Sequence, residues 1–594
     1  MTSFLDERLL RRGTWQSFER AVTRYLIIGG WTNVRLVGQT GDGGADVIAS
    51  RGGRRWLFQV KYYQKAVGAK VFAETVDAAA RYEAQISVIV SSGGFTAELR
   101  DLVQHQMSDG PRVQLWDIGD LARYGSAMPD AAPAEQHPDS FKLRRYQEDA
   151  CQSIVRCWLD NPASSALVVL ATGLGKTFVA GESVRRISSL KRDIRVLVLA
   201  HTNDLVRQLE RSFWPFLRSS ESTMIATGEE SFEWDSMKQF NYVFGSRDTF
   251  ASRVGLSREI PQFDVVVVDE CHHLSTATYD RIFDALSVGE SEGPFLIGLT
   301  ATDWRPDGQS LDQWFSDPVV RIDLVDALKS GFLSNVDYRM YTDNIDWTAF
   351  DREDGDGLYS PKAINKAIFI REWDEAVVSH LRNTWEEVEN LGMQPRCVVF
   401  CSTIEHAERV AAQVNSIELT NATTLHSGRG LSAVERNKRL WDFSEGRIGV
   451  MCVVDVFNEG IDVPDVNLVV FLRVTHSRRI FIQQLGRGLR IVRGKSKVIV
   501  LDFVSDIRRF AEGLDMKSRL QPHTENDLTD EVVVGNRVES GFGSQFSFRR
   551  SNSEDLEGEA FLSAWLGEIK DLKERGDDVA ILRFPDPHLT PHGR

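Results

Sequence analysis

An apolar run, Val168-Val169-Leu170-Ala171, breaks into Thr172-Gly173-Leu174-Gly175-Lys176-Thr177 and resumes in the helix-friendly Phe178-Val179-Ala180. No other stretch restricts the fold of this chain as tightly. Glycines between a strand and a helix let backbone N–H groups close around phosphate oxygens, since glycine adopts conformations that a side chain forbids. The helix then presents its positive N-terminal end to the same anion. Lys176 can reach the β- and γ-phosphates of a nucleotide, and the Thr177 hydroxyl can complete a Mg²⁺ shell. The strict eight-residue pattern has glycine where Leu170 stands, so a ligand-free glycine turn has the same local form.

Length and charge bound the rest. A chain of 594 residues exceeds one core and suggests three or four domains. Its 42% hydrophobic and 26% charged residues are ordinary for globular domains. The net charge of -15 does not announce a nucleic-acid binder, but DNA affinity comes from local basic grooves rather than the total. Cys151, Cys157, Cys271, Cys397, Cys401 and Cys452 lack paired C-x-x-C spacing, which argues against zinc or disulfide scaffolding. No signal-peptide pattern opens the chain and no apolar run approaches membrane-spanning length, so the expected compartment is the cytoplasm, without a membrane partner.

Downstream of the glycine turn, further stretches fall in a fixed order. Leu143-Arg144-Arg145-Tyr146-Gln147 precedes it. After it come Val196-Leu197-Val198-Leu199-Ala200-His201-Thr202, Phe244-Gly245-Ser246-Arg247-Asp248-Thr249, Val265-Val266-Val267-Val268-Asp269-Glu270-Cys271-His272 and Thr300-Ala301-Thr302. A second series runs from Cys397-Val398-Val399-Phe400-Cys401 through Thr424-Leu425-His426-Ser427-Gly428. It continues with Asn458-Glu459-Gly460-Ile461-Asp462 and ends at Gln483-Gln484-Leu485-Gly486-Arg487-Gly488-Leu489-Arg490. Continuous apolar runs such as the four valines are core strands of a parallel sheet, with carboxylates emerging at the C-terminal end where such sheets bind ligands. Gln483, Arg487 and Arg490 share one helical face by their spacing of four and three.

The whole series resembles the motor of second-superfamily helicases of the DEAD/DEAH and restriction type. The resemblance implies two RecA-like parallel-sheet domains, 142–338 and 339–505, with ATP between them. Gln147 would read adenine, and Thr172, Gly173, Gly175, Lys176 and Thr177 would cradle phosphates. Asp269 would hold Mg²⁺ through water, Glu270 would activate the attacking water, and His272 would relay the γ-phosphate state to Thr300-Ala301-Thr302. Gly460, Asp462 and Gln483 would add nucleotide contacts, and Arg487 and Arg490 would serve as arginine fingers. Asp303 stands where proline often follows, which bears on coupling.

The first 125 residues carry a different pattern. Trp15, Phe18 and Val22 recur at helical spacing, with Glu19 at the edge of that stripe. Gly41-Asp42-Gly43-Gly44-Ala45-Asp46 leads into one strand, and Trp56-Leu57-Phe58-Gln59-Val60-Lys61 forms the next. Alternation puts Gln59 and Lys61 on one face and Phe58 and Val60 on the other. The stretch resembles the PD-(D/E)xK nuclease fold and, in Gln59-Val60-Lys61, its Mrr-like restriction endonuclease branch. The resemblance implies Mg²⁺ held by Asp46, Gln59 and the Val60 carbonyl, Lys61 beside the scissile phosphate, and Glu19 as a further catalytic residue. A domain that only grips DNA is the alternative, since glutamine is a weaker cation ligand than a carboxylate.

Between the two lies a proline-containing stretch, 126–141, read as an extended, semi-rigid spacer. Ile370 to Leu391 is expected to be a long amphipathic helix and Asp343 to Gly357 an acidic loop. The tail, 506–594, reads as helical and irregular, with a mobile loop around Arg549-Arg550-Ser551. The expected fold class is therefore α/β: a nuclease-like domain, two RecA-like domains and a tail. The expected activity is an ATP-driven helicase or translocase fused to a DNA endonuclease, acting on double-stranded DNA with defence-system subunits as partners. A repair translocase and an ATP-gated nucleic-acid sensor are the alternatives.

Overall fold

The computed structural model describes residues 3–37, 44–106, 111–136, 142–301, 311–340, 371–426, 431–454, 465–472, 495, 497–503 and 546–549. Within these spans 231, 233, 255–260, 275–276, 324–325 and 328–329 are left out. The chain divides into two compact units. One comprises Met1–Leu170, Gly175–Arg321 and Ala433–Asn437, and the other Ala171–Leu174, Ile322–Ser432 and Lys438–Arg594.

The first unit opens with a five-stranded sheet of β1 (Thr32–Leu36), β2 (Val47–Arg51), β3 (Arg54–Lys61), β4 (Ile86–Ser91) and β5 (Arg112–Asp117), in that order. The β2–β3 hairpin turns on Gly52-Gly53, both at positive φ (60° and 71°), the two-residue geometry that suits the strands' twist. Strands β3, β4 and β5 are parallel. Phe58, Val60, Val88 and Val90 pack under α1 (Glu7–Arg12), α2 (Trp15–Ile28) and α5 (Ile118–Ser126). The opposite face, with Ile89, lies under α3 (Lys70–Arg81) and α4 (Ala97–Gln104).

The same unit contains a seven-stranded sheet ordered β12-β6-β11-β10-β7-β9-β8. Its strands are β6 (Ser165–Leu170), β7 (Val196–Ala200), β8 (Thr223–Ala226), β9 (Tyr242–Ser246), β10 (Val265–Asp269), β11 (Phe295–Thr300) and β12 (Val320–Ile322). From β6 to β8 the pairings are parallel. α6 (Pro133–Gln136) and α7 (Arg145–Asp160) precede β6, and the chain passes between the strands through α8 (Lys176–Leu190), α9 (Asn203–Phe213), α10 (Arg247–Val254) and α11 (Ala277–Leu286). Every residue of β7, β9, β10 and β11 is buried, which explains why those runs are apolar without alternation.

In the second unit another seven-stranded sheet has the order β15-β16-β14-β17-β18-β13-β19. Its strands are β13 (Asn335–Met340), β14 (Cys397–Cys401), β15 (Ala422–His426), β16 (Val450–Val454), β17 (Leu468–Leu472), β18 (Lys497–Asp502) and β19 (Phe546–Arg549). All these pairings are parallel. Two details depart from the sequence reading. The second sheet already includes Asn335, ahead of the expected boundary at 338. Residues 546–549, expected in a mobile loop, form an edge strand on β13, in keeping with the alternation Phe546-Ser547-Phe548. The helix Arg371–Asn390 matches the expected one, while the acidic loop falls outside the described residues.

The spacer needs a larger correction. Its described part, up to residue 136, is docked rather than extended into solvent. Ala132 is fully buried, and Asp130 accepts hydrogen bonds from the Ser219 hydroxyl (3.1 Å) and the Ser220 N–H (2.9 Å). Pro133–Gln136 makes a helical turn whose Glu135 pairs with Arg185. Proline-rich composition sets stiffness, but it carries no information about whether a neighbouring surface is there to receive the segment.

The nuclease-like domain also meets the first RecA-like domain directly, through α2. Arg20 Nε lies 2.8 Å from Glu210 of α9, and its Nη1 lies 2.7 Å from Glu230. All three side chains are under a tenth exposed. Burial opposes the charge on Arg20, but Glu210 and Glu230 outweigh it and hold the guanidinium above its ordinary pKa. One turn on, Arg24 donates to the carbonyls of Glu221 (2.8 Å) and Arg218 (2.7 Å), and burial pushes its pKa down to about 10. A buried pair that loses one partner leaves an uncompensated charge, a loss of about 3–5 kcal/mol. Arg20→Met is therefore expected to lower the denaturation midpoint of the first unit sharply, and adding Glu210→Gln and Glu230→Gln should recover most of it. An unchanged midpoint for Arg20→Met alone would show that the pair does not hold the domains together.

Candidate active sites

The first site lies at the C-terminal ends of β6 and β10. Gly173 (φ 90°) and Gly175 (φ 85°) take left-handed conformations in the turn, and α8 begins at Lys176 with Gly175 as its cap. A Cβ at Gly175 would come within 2.8 Å of Gln147 Nε2, so the Gln147 amide stands directly over the turn. Gln147 is held there because its Oε1 accepts the Arg144 N–H at 2.9 Å, capping α7. Thr172 lies in the turn, and Thr177 in the first turn of α8.

Across from Lys176, β10 delivers two carboxylates. Glu270 follows the strand at φ 51°, a left-handed conformation that costs a non-glycine residue about 1 kcal/mol. That backbone aims its Oε1 to 4.0 Å from Lys176 Nζ and its Oε2 to 3.3 Å from His272 Nδ1. His272 Nδ1 in turn lies 3.0 Å from Thr300 Oγ1, linking the ends of β10 and β11. Burial first, then the Glu270 carboxylate, push the Asp269 carboxyl up to about 7, while Lys176 and His201 pull it back. Asp269 Oδ1 is buried with no hydrogen-bond partner among the described residues. An orphaned carboxylate oxygen beside the lysine that begins α8 suits a hydrated divalent cation accompanying a nucleotide's phosphates. When bound, that cation would neutralise phosphate charge. Lys176 is placed to do the same from the protein side, and Glu270 to orient a water.

The second site sits where β2 and β3 meet. Asp46 is buried, and its Oδ2 accepts the Val60 N–H. Gln59 is fully buried on the α3 face, against Thr75. The Thr75 hydroxyl lies against Gln59 Oε1 and 2.7 Å from the Val71 carbonyl, and its one hydrogen serves one of the two. Gln59 Nε2, beside Gly44, has no hydrogen-bond partner among the described residues. With the amide turned end for end it would donate to Thr75, and its oxygen would take that unpartnered position and suit a metal ligand. The set present is one carboxylate, one amide oxygen and the Val60 carbonyl, and a bound metal would supply activation of water there.

Lys61 ends β3 half-buried, its carbonyl accepting the Ser92 N–H at 3.1 Å. Glu19 lies on α2, which covers the Phe58–Val60 face, whereas Gln59 faces α3. Arg487, Arg490, Gly460, Asp462 and Gln483 lie outside the described residues, as do Thr302 and Asp303. Thr75, which lies against the Gln59 amide, was not singled out from sequence, because a threonine in mid-helix carries no signal of what it faces.

Three family descriptions match the chain: "Restriction endonuclease" over residues 10–124, "Type III restriction enzyme, res subunit" over 140–305 and "Helicase conserved C-terminal domain" over 379–492. The Escherichia coli "Type I restriction enzyme EcoAI endonuclease subunit" is 26% identical over 65% of this chain and 49% of its own length. The "DNA 3'-5' translocase XPB2" of Sulfurisphaera tokodaii is 26% identical over 61% of this chain and 81% of its own. The chain thus spans about half the length of the restriction subunit it matches. The solved structure "ATP-dependent Type ISP restriction-modification enzyme LlaBIII bound to DNA" aligns over 97% of this chain and 43% of that one, at a TM-score of 0.51 and 16% identity. That likeness supports the fold. The chain thus carries, in order, a stretch similar to restriction endonuclease domains, one similar to the res subunit of type III restriction enzymes and one similar to the helicase C-terminal domain.

Proposed function

We propose that this protein is an ATP-dependent DNA translocase or helicase coupled to a Mg²⁺-dependent endonuclease, acting on double-stranded DNA in restriction or antiviral defence. The observation that carries the reading is the pairing of Lys176 with Glu270 and Asp269 at the C-terminal end of β10, within one compact unit. The Asp46–Gln59–Lys61 cluster belongs to that same unit. Lys176 compensates phosphate charge, Glu270 takes the proton of the attacking water, and the His272–Thr300 contact passes the state of the site to β11. In the nuclease-like site Lys61 steadies the scissile phosphate while Asp46 and the Gln59 oxygen hold the metal. Work in the cytoplasm with further defence subunits completes the proposal, the type I relatives being named as subunits.

The test is incubation of the full chain with plasmid, modified and unmodified, with Mg²⁺ and with or without ATP. Cutting of one modification state, dependent on metal and altered by ATP, is the expected result. A second reading, in which the first domain only grips DNA, is favoured by one observation: the Asp46 carboxylate already accepts the Val60 N–H. Absence of cutting with either Mg²⁺ or Mn²⁺, alongside intact DNA-stimulated ATPase, would install that reading instead.

A further inference from the structure

The alternation of β3 continues past its last hydrogen-bonded residue. Tyr62 belongs with Phe58 and Val60: its ring lies 5.7 Å from that of Phe18, and its hydroxyl donates to the Arg11 carbonyl at 2.8 Å. Tyr63 therefore falls on the side of Gln59 and Lys61. It is 55% exposed.

Its backbone is nevertheless pinned. The Tyr63 N–H donates to Ser92 Oγ at 2.9 Å, and that hydroxyl donates back to the Tyr63 carbonyl at 2.9 Å. The Ser92 N–H holds the carbonyl of Lys61. A Cβ at Gly93 would lie 2.5 Å from the Tyr63 carbonyl and closer still to that of Lys65, so only glycine admits the loop. Core packing does not account for an irregular loop fixed at several points to leave one aromatic ring in water. Lys61, half-buried, and Lys65, exposed, stand two residues before and after it in the chain and make this stretch of surface basic. Aromatic faces set in a basic surface are what single nucleobases stack on, whatever their sequence.

We propose that Tyr63 is a DNA-positioning residue, stacking on a nucleobase of the strand whose phosphate Lys61 faces and so fixing that phosphate at the Asp46–Gln59 site. The proposal rests on the nuclease reading for its catalytic consequence, and on the geometry of Tyr63 alone for the contact.

Two measurements on the full chain separate the two. In steady-state cleavage of a short duplex, Tyr63→Ala is expected to raise KM about tenfold and to spread the cut position. Tyr63→Phe and Tyr63→Trp should restore both, and DNA-stimulated ATPase should not move. Independently of cleavage, an Asp46→Asn chain photo-crosslinked to duplex carrying 5-iododeoxyuridine should be labelled at residue 63, and Tyr63→Ala should lose that label. If wild type cuts nothing but the crosslink maps to Tyr63, the nuclease reading fails while the DNA contact stands. Unchanged KM and cut position in Tyr63→Ala, or crosslinks mapping only elsewhere, would overturn the proposal.

Discussion

Glu270→Gln is expected to bind ATP as tightly as wild type and to hydrolyse it roughly a hundred- to ten-thousand-fold more slowly, the range for loss of a general base. Glutamine keeps the size and the left-handed backbone position of Glu270 but cannot take a proton. Its removal also takes one negative charge from beside Asp269, whose carboxyl Glu270 helps to push up. The holder of the metal should therefore ionise more readily, and retention of nucleotide should, if anything, improve. Lys176→Ala is the contrasting variant. It deletes the positive charge that pulls Asp269 back towards the carboxylate form, and the one that faces the phosphates, so affinity and turnover should fall together. Phosphate release under DNA stimulation, with filter retention of labelled nucleotide, reads both quantities. Wild-type turnover in Glu270→Gln would take the water-activating role away from that residue.

How much of this was legible in the sequence depends on the range of the interaction. The RecA-like strands could be read because residues buried on both faces must be apolar throughout, as in the valines of β10. The sidedness of β3 could be read because alternation is a local rule, and Phe58 and Gln59 do face opposite ways. The turn around Gly173 and Gly175 was legible because positive φ leaves a compositional trace. Arg20 and Arg24 were not. A surface arginine and a buried one look alike on a helix, and their partners, Glu210 and Glu230 for Arg20 and the Glu221 and Arg218 carbonyls for Arg24, lie nearly two hundred residues or more away in the chain. The orientation of the Gln59 amide was equally hidden. It depends on which acceptor takes the Thr75 hydrogen, and α3 has to pack before that question exists.

Asp46→Asn should abolish DNA cleavage, to at least a hundredfold below wild type, while the ATPase stays within about twofold. Asparagine is the right substitution because Asp46 has two duties. Its Oδ2 satisfies the Val60 N–H inside the protein, and losing that acceptor would cost about 1–3 kcal/mol in unpaired polar group. Alanine would therefore confound lost chemistry with a distorted β3, whereas the asparagine oxygen keeps the bond and removes only the charge. That distinction matters more than a freely tethered domain would require. Here β3 packs under α2, and α2 is locked by Arg20 to Glu210 on α9, so a distorted β3 has a direct route to the motor. Gln59→Glu supplies the opposite change. It places a second carboxylate near the one that Asp46 contributes, and a working metal site should hold Mg²⁺ at lower concentration, with cleavage kept or raised. A site that merely grips DNA should respond the other way, because an added negative charge repels the phosphate backbone. A Mg²⁺ titration of cleavage, run beside DNA binding for the same variants, separates the two signs. If Asp46→Asn cut at the wild-type rate, the metal would have to be held elsewhere and Asp46 would be left as a strand cap alone.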